Sequence, residues 1–131
     1  MAQTLEWTSA RQNEIVALIR QMVECESPSD SPEAINRFVE LIGDMLAAEA
    51  KIKTFSGGAS YGRHLRAEFD LPGRKKSGQI LALGHSDTVW PMGTLKTMPF
   101  READGRLWGP GVLDMKAGVA FFIFADRKSV V

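Results

Sequence analysis

The sequence predicts an α/β fold, and three observations indicate it. Apolar residues recur at helical spacing in two segments near the amino terminus, over about residues 9–25 and 31–50. The pattern then changes to alternation over 51–55 and 64–69, which is typical of half-buried strands. A continuous apolar run, QILAL at 79–83, resembles a central strand covered on both faces. Helices that flank strands in this way define the α/β class.

The two predicted helices have recognisable ends. Ser9 and Gln12 form a capping-box pattern before the first apolar stripe, so this helix is expected to begin near residue 9. The loop SPSDSP, residues 27–32, ends it. Ser31 and Pro32 suit the N-cap and the first position of the second helix. Both apolar stripes are interpreted as core.

The second half of the chain alternates between turns and apolar segments. Residues 72–78 resemble a hairpin connection, and 103–105, Ala-Asp-Gly, predict a tight turn between two short strands. The Gly-Pro-Gly of 109–111 predicts a second tight loop. A strongly apolar helix is then expected over about residues 115–126.

The composition is that of a globular protein and excludes some functions. The chain has 131 residues, 44% of them hydrophobic and 24% charged, and its 16 basic residues balance 16 acidic ones. A general nucleic-acid or anionic-membrane binder would need a basic surplus, so neither partner is expected. The single cysteine, Cys25, is interpreted as a packing or surface residue rather than a nucleophile, and one cysteine excludes an internal disulfide. With no signal-like amino terminus and no long apolar run, a cytoplasmic location is expected.

The most informative polar pair follows the predicted central strand. His85 and Asp87 come directly after QILAL, at the carboxyl end of a strand, where α/β sheets build ligand sites. Residues two apart in an extended segment point to the same side. A carboxylate beside an imidazole suits a metal ligand held in one tautomer, or a general-base histidine. The simpler interpretation is a histidine at a strand end with an aspartate in the following turn. His64, in an alternating strand, is expected at the surface.

A second polar position lies in WGPGVLDMKAG, residues 108–118. Asp114 precedes the apolar helix, so it could be an N-cap, or a carboxylate metal ligand kept ionised by the helix dipole. Since His85, Asp87 and Asp114 each lie just after a strand or just before a helix, all three are expected to meet at one edge of the sheet. Mixed histidine and carboxylate ligands suit zinc and tolerate manganese or cobalt.

These motifs resemble those of a known family. GHSDTV, followed by DGRLWGPG and GPGVLDMKAG in that order, is similar to the amino-terminal part of the M20 metallopeptidases, closest in character to the glutamate carboxypeptidase-like members. The resemblance implies a zinc-peptidase-like three-layer α/β/α domain with a mixed sheet, of which 1–131 would be an incomplete catalytic part. It implies two zinc ions, with His85 binding one metal, Asp114 bridging both, and Asp87 clamping the imidazole as a catalytic-site residue.

The resemblance also sets limits on activity. The family's Glu-Glu pair, its later acidic and histidine ligands, and its lid or dimerisation domain have no counterpart in this sequence. We therefore expect the amino-terminal part of an amide-cleaving hydrolase, acting on a peptide or N-acyl amino acid, with little activity as this chain and a homodimer only in a complete protein. The alternative is a non-catalytic remnant or interaction module. A nucleotide-binding domain is disfavoured, because residues 109–114 lack the glycine spacing of a dinucleotide loop and the Gly-Lys-Ser/Thr of a P-loop.

Overall fold

The computed structural model describes residues 2–70 and 78–129. In this part of the chain there are four α-helices: α1 (Ala2–Ala10), α2 (Gln12–Glu24), α3 (Pro32–Leu46) and α4 (Ala117–Ser129). Four strands accompany them: β1 (Lys51–Phe55), β2 (His64–Glu68), β3 (Arg101–Ala103) and β4 (Arg106–Trp108). The predicted α/β class is confirmed. The predicted hairpin connection at 72–78 falls almost entirely outside the described residues.

The core lies between helices α2, α3 and α4. Each contributes one apolar stripe, and the residues that meet are almost completely buried, as Met22, Phe38 and Ala120 illustrate. Ile52 of β1 and Leu65 of β2 pack against the edge of this core. The helical stripes predicted from the sequence therefore form the core, as expected from their 3.6-residue spacing.

The amino-terminal helix differs from the prediction. The structure has two helices, α1 and α2, separated at Arg11, whose φ of −111° and ψ of 12° are not helical. Ser9 lies within the last turn of α1 and does not cap a helix, so the predicted start at Ser9 is wrong. The start of α3 agrees with the prediction, because the Ser31 side chain accepts a hydrogen bond from the Ala34 N–H and Pro32 occupies the first turn.

The strands form two antiparallel pairs among the described residues. Strand β1 pairs with β2, and β3 pairs with β4. The β3–β4 turn has Asp104 at φ 53° and Gly105 at φ 68°, a conformation that Asp and Gly tolerate. This turn was predicted correctly from the sequence.

The predicted central strand QILAL is wrong for this structure. Residues 78–87 have no regular secondary structure, and Ile80 is 95% exposed. A strand needs a neighbour to accept and donate its backbone hydrogen bonds. Among the described residues, this segment has such a neighbour only at Thr88, which forms an isolated parallel bridge with Pro28. Residues 79–83 therefore lie exposed at the surface rather than inside a sheet.

Candidate metal centre

His85 lies where the exposed segment turns back towards the helices. Its Nε2 is 2.9 Å from Asp114 Oδ1, across a separation of 29 residues in the sequence. Its Nδ1 is 2.9 Å from the backbone oxygen of Asp87 and 3.3 Å from Asp87 Oδ1. The structure therefore brings together the three residues selected from the sequence. Their roles as ligands and clamp stay predictions.

Both ring nitrogens of His85 face oxygen atoms that can only accept hydrogen bonds. This environment favours the doubly protonated imidazolium, and the hydrogen bond to Asp114 is the main reason that the pKa of His85 is raised, with partial burial acting against it. His85 Nε2 and the Asp114 carboxylate would hold a divalent cation, which would replace the proton on Nε2. An imidazole nitrogen and a carboxylate oxygen are donors that zinc accepts, so this pair fits a metal ion.

Asp87 is held from its other side by a residue that the sequence did not single out. The Ser29 hydroxyl donates to Asp87 Oδ2 over 2.5 Å. This hydrogen bond is the largest cause of a lowered pKa at Asp87, which keeps the carboxylate ionised beside the imidazole. Ser29 was missed because it lies 58 residues away in a loop with no motif.

Asp114 lies in the irregular turn Val112–Lys116 and not at the first turn of α4, which begins at Ala117. Its backbone is extended, with φ −124° and ψ 94°, and its side chain is 81% exposed. The N-cap interpretation of Asp114 is therefore wrong. Its carboxylate instead contacts His85 Nε2.

Gly111 allows this turn to approach the His85 segment. Its φ is 73°, and a Cβ atom at this position would lie 2.6 Å from Thr88 Cγ2. Only glycine tolerates both the left-handed backbone and this contact. The loop predicted at 109–111 thus places Asp114 within reach of His85.

Lys116 anchors the same turn to helix α2. Its side chain is 3% exposed, and Nζ donates to the carbonyl oxygens of Met22 and Cys25, each over 2.9 Å. The ammonium also lies 4.7 Å from the centre of the Phe38 ring. Burial lowers the pKa of Lys116 to about 8. Sequence reasoning missed this residue, although a lysine at the start of an apolar helix was a visible signal.

The three residues open into a shallow groove of about 330 Å³. Apart from His85, Asp87 and Asp114, the groove is lined mainly by apolar side chains and backbone atoms. They belong to Thr88, Val89, Trp90, Gly109, Gly111, Val112 and Leu113. A groove with a few convergent polar groups and apolar walls is typical of a small-molecule site.

Other candidates from the sequence lie elsewhere. His64 is exposed in β2 and does not line the groove. Cys25 is half-buried, and burial raises the pKa of its thiol, which disfavours a nucleophilic role. Over 2–70 and 78–129, no group of three or more His, Cys, Asp or Glu side chains is arranged to hold a metal ion. No helix in these ranges is long and apolar enough to span a membrane.

Comparison with known proteins gives consistent matches. Residues 81–128, which include all three site residues, match the model of peptidase family M20/M25/M40. Succinyl-diaminopimelate desuccinylase of Anaplasma marginale (strain Florida) is 36% identical over 106 residues, which cover 77% of this chain and 26% of the relative. Carboxypeptidase G2 of Pseudomonas sp. (strain RS-16) is 28% identical over 112 residues, covering 83% of this chain and 26% of the relative. The chain thus spans about a quarter of the length of these curated relatives.

Residues 81–128 carry the histidine and carboxylate pair and match a peptidase family, so this part of the chain is similar to hydrolases. More narrowly, residues 81–128 match peptidase family M20, and the desuccinylase and the carboxypeptidase align with 77% and 83% of this chain. The resemblance seen in the GHSDTV and GPGVLDMKAG motifs is thereby confirmed.

Proposed function

We propose that this chain is the amino-terminal part of a zinc-dependent hydrolase that cleaves an amide bond in a peptide or N-acyl amino acid. His85 and Asp114 are the proposed metal ligands, and Asp87 holds the imidazole. The observation that carries the proposal is the 2.9 Å approach of His85 Nε2 to Asp114 Oδ1, with the opposite ring nitrogen directed at Asp87.

A bound divalent cation would supply a water molecule of lowered pKa and would polarise the scissile carbonyl. The residues of this chain prepare that position. Asp87 accepts the Nδ1–H, which leaves the Nε2 lone pair free for the metal. Asp114, proposed as the ligand shared by two zinc ions, supplies negative charge on the opposite side. Cobalt or manganese could replace zinc at such donors.

We further propose that the chain alone has little hydrolytic activity. Zinc takes about four ligands, and His85 and Asp114 provide two. After Asp114 the sequence contains one acidic residue, Asp126, on the apolar helix α4. A general base and further ligands would have to come from a complete protein, which would also form any homodimer. As part of this proposal, the protein acts on small molecules in the cytoplasm and binds neither nucleic acid nor membrane.

A second candidate function is a non-catalytic interaction module. The exposed apolar side chains of Ile80, Leu81 and Leu83 favour it, because contiguous apolar surface is typical of contact sites. The two candidates differ in their requirement for metal.

Zinc titration by calorimetry tests the proposal directly. The wild-type chain should bind Zn²⁺ saturably and weakly, and His85→Ala and Asp114→Ala should abolish binding. His64→Ala is the matched control, since it removes the chain's other histidine from an exposed strand and should leave binding unchanged. Binding that survives in both His85→Ala and Asp114→Ala would contradict the proposed centre.

The proposal that the chain alone has little hydrolytic activity is tested with N-acyl amino acids and dipeptides as substrates, in the presence of zinc or cobalt. We expect no turnover above the metal-only control. Turnover that a chelator abolishes would refute both the proposed inactivity of the chain and the interaction-module alternative.

A further inference from the structure

The backbone of Ser29 is fixed although its side chain is at the surface. The Ser29 N–H donates to the Thr88 carbonyl over 2.9 Å, and the Thr88 N–H donates to the Ser27 carbonyl over 2.8 Å. Ser27 and Thr88 are buried, so this short parallel contact is shielded from water. It places residue 29 beside the segment that carries Asp87 and His85.

Further hydrogen bonds fix the residues that precede Ser29. The Glu26 carboxylate accepts hydrogen bonds from the N–H groups of Gly93 and Leu95, at 2.9 and 3.1 Å. Lys116 donates to the carbonyl of Cys25, four residues before Ser29. Ser29 is therefore supported by both segments that supply the proposed metal ligands.

The hydroxyl of Ser29 has one proton and two acceptors within reach. Asp87 Oδ2 lies at 2.5 Å and the Thr88 carbonyl oxygen at 3.0 Å. The carboxylate is closer and charged, and such charge-assisted hydrogen bonds are the shorter and stronger ones. With Oδ2 occupied by Ser29, Asp87 Oδ1 lies 3.3 Å from His85 Nδ1 and adds a charged contact to the 2.9 Å approach of the Asp87 backbone oxygen.

We propose that Ser29 is a positioning residue that fixes the Asp87 carboxylate and, through it, the orientation and tautomer of His85. The part of this inference that concerns metal affinity rests on the proposed function. The part that concerns the imidazole does not, because it applies to the metal-free chain.

An isosteric pair of variants isolates the hydroxyl. Ser29→Thr keeps it and Ser29→Val replaces it with a methyl group of the same shape. Ser31→Ala is the matched control. It removes a hydroxyl from the same loop, but this hydroxyl caps α3 and does not contact Asp87. Circular dichroism checks that each variant is folded, and Ser29→Ala provides a second hydroxyl-free variant without the branched side chain.

The first measurement is the tautomer of metal-free His85, read from ¹⁵N shifts of its ring at a pH where the neutral imidazole predominates. The fraction of the proton on Nδ1 should be the same in the wild type, Ser29→Thr and Ser31→Ala. It should fall in Ser29→Val and Ser29→Ala, because Asp87 Oδ1 is then no longer held beside Nδ1 while Asp114 still accepts from Nε2. Identical ring shifts in all five proteins would overturn the inference.

The second measurement is Zn²⁺ affinity by calorimetry. Loss of the hydroxyl should weaken binding by about tenfold, at the low end of the effect of outer-shell partners, while Ser29→Thr and Ser31→Ala bind as the wild type does. If the wild-type chain binds no Zn²⁺, the proposed metal centre fails and the tautomer alone decides the role of Ser29. Wild-type affinity in Ser29→Val, with an unchanged tautomer, would refute the role of Ser29 and leave the proposed function intact.

Discussion

The helical layer, formed by α2, α3 and α4, and the segment 78–90 have similar apolar character, but the facing stripes of the helices are buried and most of the segment is exposed. Phe38 in α3 is 2% exposed, whereas Ile80 is 95% exposed. A helix satisfies its backbone internally and needs only an apolar partner surface, which α2 and α4 provide. An extended segment also needs a neighbouring strand for its backbone, and residues 79–83 have none among the described residues. Apolar sequence alone therefore does not decide burial.

The candidate site lies at the boundary between these two regions. His85 belongs to the exposed segment, which rejoins the structure at the buried Thr88. Asp114 belongs to a turn that Lys116 anchors to the helical layer. The site is therefore only as ordered as the contacts that join the regions. Three substitutions test the contrast.

The largest effect is expected from Phe38→Ala in the helical layer. Removing this buried ring leaves a cavity and deletes the face on which the Lys116 ammonium rests, so the free energy of unfolding should fall by about 3–5 kcal/mol. Urea denaturation followed by circular dichroism measures the change. Phe55→Ala, on the half-exposed end of β1, is the control and should cost under about 1 kcal/mol. Equal losses of unfolding free energy in Phe38→Ala and Phe55→Ala would contradict the position of the core between α2, α3 and α4.

A smaller effect is expected from Lys116→Met, which tests the connection between the regions. Methionine fills a similar volume but leaves the carbonyl oxygens of Met22 and Cys25 without their donor, which should cost about 1–3 kcal/mol. The same denaturation assay applies, with Lys53→Met on the exposed strand β1 as control. A gain in stability on Lys116→Met would show that the cost of burying the ammonium exceeds the benefit of its hydrogen bonds.

The smallest effect is expected from Ile80→Ser in the exposed segment. A side chain that is already in solvent contributes little, so the free energy of unfolding should change by less than about 0.5 kcal/mol. Light scattering should at the same time show less self-association, because an exposed apolar group has been removed. A loss above about 2 kcal/mol would indicate that residues 78–90 are packed in solution, and would remove the contrast between the two regions.

Much of the local structure was predictable from the sequence. The Ser31–Pro32 cap, the Asp104–Gly105 turn and the position of strand β1 depend on neighbours a few residues apart, so their signals are complete in a short window. The selection of His85, Asp87 and Asp114 likewise depended on residue types at fixed spacings. The sequence predicted that these residues would meet, but not the distances between them, because those distances depend on the loop at Gly111.

The helix stripes, turns, motifs and zero net charge of this protein were determined by its sequence alone, since each depends on local spacing or composition. Tertiary structure decided the break at Arg11, the exposure of 79–83, the contact of Ser29 with Asp87 and the burial of Lys116. The physical reason is that burial and hydrogen-bond partners are properties of pairs of segments. Ser29 and Asp87 lie 58 residues apart, and Lys116 and Met22 lie 94 apart, distances over which no sequence periodicity carries information.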